Sequence, residues 1–96
     1  MDADFGDQLH ASLLSRGFVF EVELESPDIF ASWCRYYERR GQRIRLLWDA
    51  KDEWFVLQGG KHLRPLAIRT PSELAANGID EFLADVDLDR VAPPAV

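Results

Sequence analysis

The chain has 96 residues, 47% of them apolar and 29% charged, and a formal net charge of −6. That length suits one domain, 1–96, and that apolar share excludes wholesale disorder. The acidic balance disfavours unaided binding to nucleic acid or anionic lipid, and a single cysteine, Cys34, excludes an internal disulfide and suits a reducing cytoplasm.

The N-terminus, MDADFGDQ, lacks the basic and apolar regions of a secretory signal. Residues 4–16 predict a helix. Phe5, Leu9 and Leu13 recur at i, i+4, i+8, Asp4 suits the N-cap and Gly17 the position after the end. Residues 18–25 alternate, which predicts a strand with Phe18, Phe20, Val22 and Leu24 on its buried face. Glu21, Glu23 and Glu25 fall on its wet face.

Ser26-Pro27-Asp28 reads as the start of a second helix, since serine caps and proline fits the first helical position. Ile29, Phe30, Trp33 and Tyr37 would form its core stripe, with Arg35, Arg39 and Arg40 outward and Gly41 ending it. Strands are expected at 43–48, 53–58 and 62–69. The second is apolar on both faces and should be interior. Gly59-Gly60 fits a tight hairpin turn, and Pro65 places the last strand at an edge or beside a bulge. Thr70-Pro71-Ser72-Glu73 is a capping-box start, and Ile79, Phe82, Leu83 and Val86 mark a further short amphipathic piece. Residues 88–96 read as a flexible tail. The expected fold is a two-layer α+β sandwich. Its mixed four-stranded sheet has a β-α-β-β-β core, a right-handed crossover and helices mainly on one face.

Charge is sorted along the chain. Residues 33–69 hold nine bases against four acids, all three tryptophans and both tyrosines, whereas residues 1–32 sum to −6 and residues 70–96 to −5. The middle segment offers Arg43, Arg45 and Trp54 as an interface or a nucleic-acid platform, because arginine forks and flat rings suit phosphates, bases and protein hot spots. The competing reading is mutual neutralisation, with Glu21, Glu23 and Glu25 opposite Arg43, Arg45 and Arg64 on neighbouring strands. The acids Glu21, Glu23, Glu25, Asp28, Asp80, Glu81 and Asp85 form the complementary candidate, a surface that captures a cationic partner.

No catalytic chemistry is marked. Asp85, Asp87 and Asp89 lack the glycine and the glutamate of a calcium loop. Cys34, His10 and His62 carry neither zinc spacing nor a nucleophile motif, so no metal and no cofactor is expected. In size and charge the chain resembles bacterial immunity proteins and secretion chaperones, and the resemblance rests on that profile alone. It implies a non-enzymatic cytoplasmic protein-binding module, a monomer or homodimer, for a cationic partner such as a toxin domain. The alternatives are a nucleic-acid-binding domain built on the Arg/Trp segment and a dimeric chaperone-like adaptor.

Overall fold

The computed structural model describes residues 5–25, 32–60, 62–84 and 86. The elements are α1 (Phe5–Ser15), β1 (Val19–Glu25), β2 (Trp33–Arg39), β3 (Gln42–Asp49), β4 (Trp54–Gly59), β5 (Arg64–Arg69), α2 (Pro71–Asn77) and α3 (Ile79–Phe82). The five strands form one antiparallel meander in the order β1-β2-β3-β4-β5.

The helix ends follow local chemistry. Gly17, at φ +92°, lets the chain leave α1 in a left-handed turn. The Phe18 N–H then donates to the Leu13 carbonyl at 3.1 Å and the Gly17 N–H to the Leu14 carbonyl at 3.0 Å, which together make a Schellman motif. At α2 the Thr70 hydroxyl accepts from the Glu73 N–H at 3.2 Å, and the Glu73 carboxylate accepts from the Thr70 N–H at 2.8 Å.

The expected mixed four-stranded sheet is corrected. It has five strands, all antiparallel, and no βαβ crossover among the described residues. The difference arises at Trp33–Arg39, read as helix and found as a strand between β1 and β3. Its alternation is disguised because Arg35 and Arg39 point to the same face as Trp33 and Tyr37. Each lays its stem under α1 and lifts its head to a backbone carbonyl. Arg35 Nη1 donates to Gly6 O at 3.2 Å, and Arg39 Nη1 donates to Arg16 O at 2.7 Å. Arg40 and Gly41, at φ +52° and +81°, close a two-residue hairpin of the primed type, so Gly41 turns a strand rather than stopping a helix. The proposed cap and stripe residues Ser26–Phe30 lie outside the described residues, as do Asp4 and the 88–96 tail.

A second correction concerns β1. The pairs Phe20↔Tyr37 and Val22↔Tyr36 leave Glu21 as the extra residue of a bulge. One inserted residue reverses the alternation. Phe18 and Phe20 therefore face the helices, while Val22 and Leu24 face the opposite side with Tyr36 and Cys34. The Gly-Gly turn is also longer than expected. Gly59 is the last residue of β4, and residues 60–63 link it to β5. A Cβ on Gly59 would stand 2.8 Å from Leu66 Cδ1, so the close approach of β5 selects glycine there. Pro65 lies on an edge strand and next to a register shift at Leu57/Gln58, as expected.

One face of the sheet carries the core. Tyr37, Ile44, Leu46, Phe55 and Leu57 pack with Phe18 against Leu9 and Leu13 of α1, Leu74 of α2, and Phe82, Leu83 and Val86 at the C-terminal end. Trp33 and Trp48 extend this layer around Phe55, with ring centroids 6.2 and 4.6 Å away. Beneath α1, the buried Tyr37 hydroxyl meets His10 Nδ1 at 2.7 Å.

Candidate interaction surface

The opposite face bears no helix among the described residues. Its side chains are set by register. Leu24, Cys34, Leu47, Val56 and Ile68 are successive cross-strand partners, one from each strand, and form an apolar row across the whole sheet. A parallel row on one side holds Val22, Tyr36, Arg45, Gln58 and Pro65. On the other side Asp49 is paired with Trp54. Val56, in the middle of β4, is 7% exposed, whereas Leu24 at one end of the row is 49% exposed and Ile68 at the other is 39% exposed.

Arginine and tyrosine order the polar row. The Arg43 and Arg45 guanidinium carbons lie 4.7 and 5.7 Å from the Tyr36 ring centroid. Arg45 also donates from Nε to Gln58 Oε1 at 2.6 Å and from Nη1 to the Tyr36 hydroxyl at 3.0 Å. The head of Arg45 is thus fixed over the sheet by neighbours on both sides. Asp49 Oδ1 accepts from the Lys51 and Asp52 N–H groups at 3.0 and 3.2 Å, which builds the turn into β4.

The candidate acids are distributed differently from the expected cross-strand ladder. β1 neighbours β2 and not β3. Glu21 still reaches Arg43 over the intervening strand, at 3.1 Å. Glu23 turns to the helix face, where Arg35 donates to it at 2.6 Å. Burial disfavours the charge on Arg35, but this carboxylate outweighs burial and holds the guanidinium pKa above its usual value. Arg45 pairs with Gln58 rather than with an acid of β1, and Arg64 is the partner of Gly59 in the edge strand. Glu25 is exposed at the end of β1. Asp80 pairs with Arg16 at 3.2 Å, and Glu81 with Arg69 through two contacts of 3.1 and 2.5 Å. The hydrogen bonds from Arg69 hold the Glu81 carboxyl below the usual carboxylate range. Asp28 and Asp85 lie outside the described residues.

Trp54 is half-buried on the open face, at the same register as Asp49. Cys34 stands in the apolar row, whereas His10 belongs to the helix layer with Tyr37 and Phe20, so the sheet separates them. No group of three His, Cys, Asp or Glu side chains suited to a metal occurs among the described residues. A cleft at the end of β1 and β2 is lined by Arg16, Arg39, Arg40 and Glu38. Two of its arginines serve the fold: Arg39 binds the α1 end and Gln42, and Arg16 binds Ser12 and Asp80.

The apolar row was within reach of the sequence only in part. The strands that carry Leu47 and Val56 were expected from the sequence, but Leu24 needed the bulge and Cys34 needed β2. No family model, curated protein or solved structure matches this chain. No helix among the described residues is long and apolar enough to cross a membrane.

Proposed function

We propose that this chain is a non-catalytic protein-binding module and that the open face of its sheet is the docking surface. The observation that carries this reading is the apolar row across this face, which is exposed at both of its ends. Of the six large hydrophobics exposed among the described residues, Val19, Val22, Leu24 and Ile68 belong to β1 or β5 and project from the face on which no described helix packs. Scattered exposed hydrophobics are ordinary, whereas a contiguous row rimmed by polar groups favours a protein partner. Covering a half-exposed leucine or isoleucine returns about 1 kcal/mol each. Tyr36, Trp54 and Arg45 beside the row are the residue types that dominate binding hot spots.

Capture of a cationic partner such as a toxin domain by the acids has less support. Glu21, Glu23, Asp80 and Glu81 each hold an arginine of the same chain, so a partner would have to displace those pairs.

A photo-reactive amino acid placed at Ile68, compared with one at Ser72 on α2, tests the docking surface in cells. Protein adducts concentrated at position 68 are expected. Equal labelling at both positions, or none at 68, would overturn the reading.

A further inference from the structure

We propose that the occupant of the open face is a second copy of this chain, packed face to face about a two-fold axis that runs along the apolar row over Leu47. This rests on the reading of that face as a protein-docking surface.

The edges of the sheet do not favour association. β1 carries a bulge and three glutamates, and β5 carries Pro65 and a second register shift. These are features that blunt strand-to-strand pairing. The face is better suited. An axis along the row lays each apolar residue beside its own counterpart and reverses strand direction in the partner. Residues on one side of the row then meet residues on the other side of the second copy.

The charges of β3 match that operation. Arg45 and Asp49 project from the open face and stand two residues before and two residues after Leu47. Rotation about Leu47 therefore sets each Arg45 opposite Asp49 of the second copy, twice per dimer. The same rotation sets Gln58 opposite Trp54, since these are the β4 partners of Arg45 and Asp49. A self-complementary patch is what an isologous contact requires.

Charge balance also selects this occupant. Among the described residues, the open face holds Arg43 and Arg45 against Glu21, Glu38 and Asp49, with Arg43 already bound to Glu21. It lacks the single sign that a nucleic acid or a highly charged protein would need. Asp80 and Glu81 lie on α3, in the helix layer. Five strands at about 4.8 Å spacing and six residues at about 3.3 Å give a footprint of about 500 Å2 per copy. Two such footprints reach the ~1,000 Å2 floor of a specific interface.

Cys34 makes the arrangement testable, because it is the only cysteine and lies in the row. Packed sheets stand about 10 Å apart, so the two Cys34 side chains would fall within reach of a short bis-maleimide. Sedimentation of the full chain at about 100 µM should show a dimer, and the bis-maleimide should join it into one covalent species of twice the mass. Arg45→Asp should weaken association about tenfold or more, and the double variant Arg45→Asp/Asp49→Arg should restore it. Circular dichroism confirms that each variant is folded, and cross-linking of the unaltered chain is independent of them. A monomer at that concentration, or a dimer that Arg45→Asp does not weaken, would overturn the proposal. Adducts at position 68 with a different protein would also overturn it while leaving the docking surface intact. Absence of any adduct at 68 would remove both.

Discussion

Arg35 donates from Nε to the Glu23 carboxylate at 2.6 Å, beneath the start of α1. The arginine side chain is 18% exposed and its carbon lies 4.3 Å from the Trp33 ring centroid, while its Nη1 holds the Gly6 carbonyl. One side chain thus ties β1, β2 and α1 together. Arg35→Ala should cost about 1–3 kcal/mol, because it removes packing as well as charge-assisted hydrogen bonds. Glu23→Gln should cost under about 1 kcal/mol, since the acid is 40% exposed and glutamine retains an acceptor. Urea denaturation of the two variants measures the asymmetry. Equal costs would show that the arginine acts only through the ion pair.

Arg40 provides a test of the β2–β3 hairpin. It occupies φ +52° ahead of Gly41 at φ +81°. Asparagine tolerates that conformation better than arginine, so Arg40→Asn should stabilise the protein by about 0.5–1 kcal/mol. In a helix the same change would be unfavourable by propensity. A fall in the urea midpoint would argue against the hairpin.

Tyr37 predicts a pH dependence. Burial pushes its phenol up to about 12 from 10.0, with Arg35 opposing the rise. Below pH 10 the phenol is neutral in both folded and unfolded chains, and its contribution to stability is constant. Between pH 10 and about 12 the unfolded chain ionises first, so stability should fall as pH rises. Phenolate absorbance should show one late-titrating tyrosine, and Tyr37→Phe should abolish the late phase. Absence of a late phase that Tyr37→Phe removes would refute this account.

The nucleic-acid alternative predicts retention on heparin. The open face instead binds Arg43 to Glu21 and Arg45 to Gln58, on a chain of net charge −6. Elution below physiological salt is expected. Retention that Arg43→Glu abolishes would reassign the face to a polyanion.

Much of the fold was legible because it is written in local chemistry. The α1 stripe of Leu9 and Leu13, the Gly17 stop, the strand expected at 43–48, and the Thr70 capping box depend on neighbours within a few residues. Trp33–Arg39 was not legible. Its inward arginines imitate the polar side of a helix, and the segment becomes a strand through its pairing with β1 and β3.

The sequence by itself determined the α+β composition, the approximate bounds of α1 and of four strands, and the core positions Leu9, Leu13, Phe82, Leu83 and Val86. Only the tertiary structure decided which strand lies beside which, and hence which acid meets which arginine. It also decided, through one extra residue at Glu21, that Val22 and Leu24 leave the core and join the open face. Periodicity reports the face a residue shares with its own strand. It carries no information about the neighbouring strand or about a bulge that the neighbour induces.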